Sequence, residues 1–329
     1  MAAPSPDLAG AVVVAAPVAT RERGAPAGWR RLGLAFWLPA GWLVVVTLLA
    51  LFVPLLHLPD PNLQDLSDRG GPAGAGHLLG TDSLGRDMLS RLVWGARISL
   101  TVGYASTLLG MVVGGLVGMA AGYVRGRFEA VVVATMDALL AFPALVLILA
   151  ITTFAGHDIR IIVGVIGFLG IPAFARVARA NTLALAQREF VLAARAMGAG
   201  GLRILGLEIL PNIVAPVLTF GLLAVAVAMI AEGALAFLGL SVPPPSASWG
   251  AMIADGRGDL DTWPQVSLIP AAVFFLTIFA PVRAGGVRHR GSGSGGRLGG
   301  GVVALASDAP LRHVGRRRPR EQVPATLRR

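Results

Sequence analysis

The sequence predicts an all-α, polytopic membrane protein with about six transmembrane helices. Three observations carry that expectation. The chain is 55% hydrophobic and only 14% charged, with a mean hydropathy of +0.71, which is far from the composition of a soluble globular domain. Its apolar residues gather in uncharged runs of roughly 20 residues, the length that crosses the hydrocarbon core of a bilayer. The short segments between those runs hold most of the charges.

The runs follow in order. The first is Phe36 to Leu56, with Pro39 and Pro54 near its ends. The second is Ile98 to Val124, and the third is Val131 to Phe154. The fourth covers Ile161 to Ala178, with Arg176 placed to snorkel at its end. The fifth covers Ile213 to about Leu240 and the sixth Trp263 to Ala280 or a little beyond. An even number of crossings puts both termini on one side. With the N-terminus inside, the inner segments hold 22 of the 28 arginines and the outer loops hold 6. Positive residues stay on the cytoplasmic side, so both termini are expected there. The membrane domain is then 32–280, and its largest inner loop between spans is about 181–211.

Two tails flank it. Residues 1–31 are rich in Ala, Pro and Gly, with a short apolar patch from Ala9 to Ala19. They lack the basic start and longer core of a signal peptide and are expected to form a disordered cytoplasmic tail. Residues 281–329 are low in complexity and hold 11 arginines against 2 acids, so the rest of the chain is nearly neutral despite a formal charge of +10. The abrupt change of composition reads as a frame-shifted or mispredicted C-terminus. The competing reading is a disordered basic tail drawn to anionic lipid, worth about 1 kcal/mol per Arg near the surface. Nothing in the body of the protein predicts nucleic-acid binding.

Two absences limit the chemistry. The sequence has no cysteine, which removes disulfides and thiolate metal sites. It has no lysine either: every basic residue apart from its histidines is arginine. A phosphate-binding P-loop requires a lysine, so the chain has no ordinary ATP site. No cofactor or metal is expected in it, and no HExxH or GxSxG constellation marks it as an enzyme.

Within the second run, Ser106, Gly110, Gly114, Gly118 and Gly122 recur every four residues. That spacing draws one stripe down a helix. In lipid, small stripes let helix backbones approach closely, either within a chain or between chains. Two acids lie in apolar surroundings, Asp137 in "TMDALLAFP" and Glu232 in "MIAEGALAFLGL". A charge at mid-membrane costs about 3 kcal/mol or more, so neither is expected to face lipid. They either line a path or bond to neighbouring helices.

The inner loop holds "REFVLAARAMGAGGLRILGLEILPN", Arg188 to Asn212. Phe190, Val191, Ala194 and Met197 recur at helical spacing, and Gly198, Gly200 and Gly201 break the helix. A second short helix, Leu202 to Leu210, is expected to stop before Pro211. On its own the segment also reads as an amphipathic loop lying on the membrane.

A resemblance becomes specific at this loop. Ala193-Ala194, Gly198 and, further on, Leu210-Pro211 resemble the "EAA" coupling loop of ABC importer permeases. Leu192 stands where the name-giving Glu would be, and Glu208 replaces a usual aliphatic. "HLLGTDSLGRDMLSRLVWGARISL" (from His77), "DALLAFPAL" (from Asp137) and "AEGALAFLGLSVPPPSASWGAMIADGR" (from Ala231) are similar to the C-type permease subunit of dipeptide and oligopeptide importers. The resemblance spans about His77 to Ala280. It implies a type I ABC importer permease fold in a bacterial inner membrane. It further implies a second permease, two ATPase subunits that bind the ATP, and an extracytoplasmic substrate-binding protein as partners, with membrane lipid around them.

Under that resemblance the inner loop docks into a groove on one ATPase subunit. Ala193, Ala194 and Gly198 would supply the close fit, and Glu189 and Arg195 a polar rim. On the outer face, "SVPPPSASWG" with Pro244 and an interfacial Trp249, together with the Gly85-Arg86-Asp87 turn and Arg91, would shape the outer gate or meet the binding protein. Exposed opposite charges also often simply pair, which gives Arg86, Asp87 and Arg91 a structural alternative. The same architecture serves nickel or another small solute, although the five histidines lie outside the spans. A secondary transporter would need paired ionisable groups in the spans and inverted repeats, which are not visible.

Overall fold

The computed structural model describes residues 34–74 and 76–292. The N-terminal tail expected at 1–31 and the basic tail beyond 292 lie outside them. Ten α-helices carry the described chain. They are α1 (Leu34–Phe52), α2 (Met88–Val124), α3 (Gly126–Ala141), α4 (Ala144–Ala155) and α5 (Ile159–Leu185). Then come α6 (Glu189–Ala196), α7 (Gly201–Arg203), α8 (Leu210–Phe237), α9 (Trp249–Asp255) and α10 (Gln265–Ser292). A π-helical segment, Ile204–Ile209, joins α7 to α8, so Gly201–Phe237 runs as one helix of 37 residues.

Helix direction follows from which residues touch. The small stripe of α2 lies against α5, and this is the most extensive helix pairing in the protein. The Ser106 hydroxyl donates to the Val163 carbonyl at 3.1 Å, an offset of 57 residues. A Cβ on Gly110 would meet Gly167, one on Gly114 would meet Ile171, one on Gly118 Ala175, and one on Gly122 Arg179. The same offset at every turn means that α2 and α5 are parallel. The chain between them must therefore recross the layer. Its contacts show that it does: Arg179 pairs with Glu129 and Arg176 with Asp137 near the start, while Ile148 packs with Ile162 and Ile166 further on. The stripe is thus spent on packing inside the chain.

That recrossing differs from the sequence expectation. In place of one span from Val131 to Phe154, α3 and α4 meet at a bend of 82°. The cause is local. Pro143 disfavours helix in the residue before it, and Phe142 is extended at φ −81° and ψ 136°. Hydropathy is blind to such a break.

Pro211 has the opposite effect from the one expected. Leu202 to Leu210 does not end before it; the helix continues through into α8. A proline ring clashes with the carbonyl four residues back in an α-helix. Here the turn before it is wound as a π-helix, with Leu210 N–H bonded to the Leu205 carbonyl, five residues back. The wider turn makes room for the ring. At the same turn the Asn212 side chain donates to the Glu208 carbonyl at 2.6 Å.

α2 also begins ten residues earlier than the hydropathy of its span indicates, at Met88. Asp87 caps it by accepting from Ser90 N–H at 2.6 Å. By length and composition α1, α2, α5 and Gly201–Phe237 can each cross a membrane, the α3–α4 pair makes a fifth, broken crossing, and α10 supplies a shorter apolar helix, Gln265–Pro281. α10 runs on past Ala280, as the expectation of a span ending at Ala280 or a little beyond allowed, and reaches Ser292. The crossings leave two ends. One, the elbow end, carries α6; the other gathers 57–87, 156–158 and 238–264. α1 ends and α10 starts at that second end, so both chain termini of the helical body lie at the elbow end.

The packing yields a test. A side chain on Gly118 would run into the Ala175 backbone, whereas a Cβ on Gly115, three residues away on the same helix, meets nothing within 4 Å. Overpacking a close contact typically costs about 1–3 kcal/mol. Gly118→Val is expected to lower the thermal midpoint in detergent by several degrees and to reduce yield, while Gly115→Val leaves both unchanged. Equal behaviour of the two variants would refute the α2–α5 contact.

Candidate functional site

The elbow is built by short-range chemistry. Arg188 is extended, α6 follows, and Gly198 ends it in the left-handed region at φ +83°. Ala199 N–H bonds to the Ala194 carbonyl at 3.0 Å and Gly198 N–H to the Arg195 carbonyl at 2.9 Å. This pair of bonds is the Schellman closure, which satisfies carbonyls that a helix end otherwise leaves open. Gly200 then opens α7 in extended conformation.

One face of α6 closes onto the protein. Val191 and Ala194 are buried with Met119, Phe174, Ala178, Ile204 and Ile209. Arg195 lies over the Tyr123 ring at 5.1 Å, a favourable cation–π distance. The other face is open. Glu189 and Ala193 are exposed, as are Gly198, Leu210 and Pro211. Ala194 must therefore be corrected: expected to offer a close fit to a partner, it instead packs inward, because it stands one turn from Val191 on the apolar face. Phe190 and Met197, read together with Val191 and Ala194 as one helical pattern, face outward, and they are joined by exposed apolar side chains that sequence reasoning passed over, Leu192, Leu202 and Leu207. Met197 is 81% exposed, Leu202 is 88% exposed, and Leu207, Leu192 and Phe190 are exposed too. Their signal was present as apolar residues in a segment otherwise rich in charge, but the expectation of a second, separate helix hid their common placement.

The opposite end holds a polar network. Asp82 accepts from the backbone N–H groups of Leu84 (2.9 Å) and Arg86 (3.0 Å) and from Arg86 Nε at 2.7 Å. Arg91 Nε lies 3.4 Å from the same carboxylate, and its Nη1 donates to the Pro61 carbonyl at 3.3 Å. Asp87 caps α2 with one oxygen and holds His77 Nδ1 at 2.8 Å with the other. Arg86, Asp87 and Arg91 are all buried. The "GTDSLGRDMLSR" stretch is thus a folded plug of mutually satisfied charges, tied down by Ser90, whose hydroxyl donates to the Pro59 carbonyl at 2.6 Å. Asp255 approaches this plug from α9, 3.7 Å from both Arg86 Nη2 and Arg91 Nη2. Burial raises its carboxyl above the ordinary aspartate value, against the lowering effect of the two guanidinium groups.

Trp249 requires a second correction. Expected at an interface, it is 1% exposed and sits in the core. Its indole N–H donates to the Leu92 carbonyl at 2.8 Å, and its backbone N–H donates to the Ser99 hydroxyl at 3.1 Å. Pro244 lies in the loop between α8 and α9.

The two intramembrane acids have different surroundings. Glu232 is fully buried. The hydroxyls of Ser241 and Ser248 each donate to its Oε1 at 2.7 Å, and Ser99 donates to Oε2 at 3.4 Å. Ser248 at the same time caps α9 by accepting from Ala251 N–H at 3.1 Å. Glu232 therefore joins α2, α8, the proline loop and α9. Gly250 lets α9 cross there, since a Cβ on it would press on Gly233 Cα at 2.7 Å. Asp137 is exposed and bonds to Arg176 Nη2 at 2.5 Å. Together with the pair Glu129–Arg179, it fastens α3 to α5 beside a cavity lined by Gly118, Met136 and Ala175.

Comparison with known proteins bears on what these parts do. A family described as "Binding-protein-dependent transport system inner membrane component" matches residues 114–284. The glutathione transport system permease protein GsiD of Pectobacterium atrosepticum is 37% identical over 256 residues, covering 77% of this chain and 85% of the relative. A putative peptide transport system permease protein of Brucella suis is 38% identical over 239 residues, covering 72% and 80%. A chain of the MetNI methionine ABC transporter, in inward-facing conformations, is similar over 61% of this chain and 97% of its own length. Its TM-score of 0.48 and identity of 18% make it too distant to bear on function.

The Glu232 junction can be tested by shape and by polarity separately. Leucine fills a similar volume but accepts no hydrogen bond, and each buried hydroxyl left without a partner costs about 1–3 kcal/mol. Glu232→Leu is expected to lower the thermal midpoint of the purified protein clearly, and Glu232→Gln, which keeps an acceptor, to lower it much less. Identical midpoints for the two would show that the serines do not depend on the carboxylate.

Proposed function

The chain belongs to the family of binding-protein-dependent transport system inner membrane components, and from that premise we propose that it is one permease subunit of an ATP-driven peptide importer. The relatives that cover most of the chain are named for glutathione and peptide transport, which favours peptides over nickel as cargo. A second permease completes the path, two ATPase subunits hydrolyse the nucleotide, and an extracytoplasmic protein delivers the peptide. The elbow end faces the cytoplasm, in keeping with the arginine distribution. This chain contributes no ATP site of its own.

The observation that carries the reading is the elbow. Its inner face is closed onto α2, α5 and α8, and its outer face presents Met197, Leu202 and Leu207 to the surroundings. Burying such side chains in a partner's groove gains about 1.5–3 kcal/mol each. α6 follows α5 directly and leads through α7 into α8. A force on the elbow therefore acts on two long helices at once, as rigid-body transmission requires.

In the reconstituted complex, Met197→Glu together with Leu202→Glu is expected to weaken association with the ATPase subunits more than tenfold and to abolish ATP-driven peptide uptake. The thermal midpoint of the isolated permease should not change, because both side chains are exposed. Gly198→Val, which forces a branched residue into the left-handed region, should impair uptake by deforming the elbow itself. Co-purification of the ATPases with the doubly substituted chain at wild-type level, or peptide uptake without any ATPase, would overturn the reading.

A further inference from the structure

At the end opposite the elbow, between α2, the α4–α5 turn, α9 and the proline loop, lies a cavity of about 170 Å³. That is well above the roughly 10–15 Å³ needed to hold one water. Its polar lining includes Arg86, Arg91, His157, Ser246 and Asp255, and Pro243, Pro244 and Pro245 stiffen one wall. We propose that this cavity receives the C-terminal carboxylate of the incoming peptide, with Asp255 occupying the place of that carboxylate when no peptide is present. The proposal rests on the peptide-import reading above and adds to it a site of contact.

Three observations support it. First, Arg86 and Arg91 are both buried, yet each directs an Nη2 group to the same Asp255 oxygen at 3.7 Å. That distance is too long for a hydrogen bond. The geometry is that of a two-guanidinium receptor for one carboxylate, filled loosely from within. A free carboxylate could form the short, charge-assisted bonds that Asp255 does not make. Second, His157 Nε2 is inaccessible to solvent and has no hydrogen-bond partner. A buried polar nitrogen left unsatisfied is costly; His157 lines the cavity, and a turn of its ring toward a bound ligand would give Nε2 a partner. Third, the charges around the cavity balance internally: Arg86 and Arg91 face Asp82 and Asp255. Asp82 is held by four donors in the plug, whereas the Asp255 side chain is 50% exposed. Asp255 is thus the anion free to leave.

The terminal carboxylate is the one anion that all linear peptides share, so a receptor for it would serve many sequences. Under the proposed orientation the cavity also faces the side from which the peptide arrives.

The test uses the complete importer in proteoliposomes, with trialanine and trialanine amide as probes. The binding protein is common to every arm, so the quantity compared is the ratio of the two KM values. Asp255→Asn is expected to lower the KM for trialanine several-fold and to leave the amide unchanged. His157→Phe is expected to raise the KM for trialanine several-fold, again without effect on the amide. If either variant shifts acid and amide equally, the proposal is overturned, as it would be if the carboxylate came from an acidic side chain of the binding protein. Uptake of neither probe by the wild-type complex would count against peptide import itself, a separate failure.

Discussion

Helix α2 lies on α5 backbone to backbone, and most of the architecture follows from that contact. Lipid offers no hydrophobic drive to bring two apolar helices together, so close packing must supply the attraction. Four glycines and Ser106 remove the side chains that would hold the backbones apart. Because the pair is parallel, an intervening crossing is obligatory. Because α5 is held so near, its Phe174 and Ala178 are available to form the floor on which α6 rests. The same two helices thus fix the topology and the seat of the elbow.

Two prolines show how irregular backbone survives in such a fold. In hydrocarbon an unsatisfied carbonyl or N–H is costly, so breaks are tolerated only where other groups compensate. At Pro143 the chain turns by 82°, and α3 and α4 are held separately, one by ion pairs to α5 and the other by apolar contacts to it. At Pro211 the helix is not broken but rewound as a π-turn, and the Asn212 side chain bonds a carbonyl of the same turn. Neighbouring structure, not the proline alone, decides between a bend and a rewinding.

This explains what could be read from the sequence. The glycine stripe was visible because a helix period maps directly onto spacing, and the left-handed cap at Gly198 was visible because both its cause and its effect are local. The spans were visible because hydropathy averages over many residues. The bend at Pro143 was not, since its apolar flanks satisfy a span whether straight or broken. Trp249 was misplaced for another reason. An aromatic in a polar loop suits a membrane interface, but its actual partners, Leu92 and Ser99, lie 157 and 150 residues away in the chain. For Arg86, Asp87 and Arg91 the pairing alternative was legible, but not that the charges would be buried, nor that Asp255 would approach them from a distant helix.

The two ends of the molecule are built from different materials, and the difference has mechanical consequences. The end opposite the elbow is held by directional bonds: buried guanidinium groups, a carboxylate capping α2, and Glu232 gathering serines from α2, the proline loop and α9. Such networks are satisfied in one arrangement and penalised in partial ones. At the elbow end α6 itself is seated by close-packed apolar contacts of Val191, Ala194, Ile204 and Ile209 with α2 and α5, while the ion pairs Glu129–Arg179 and Asp137–Arg176 fasten α3 beside it. α5 and the long Gly201–Phe237 helix connect the two ends without interruption. If the elbow is displaced, α2 must move with α5, because their backbones approach closely at five positions over about four helical turns. A displacement of the elbow is thereby carried to the polar network through touching backbones rather than through flexible side chains.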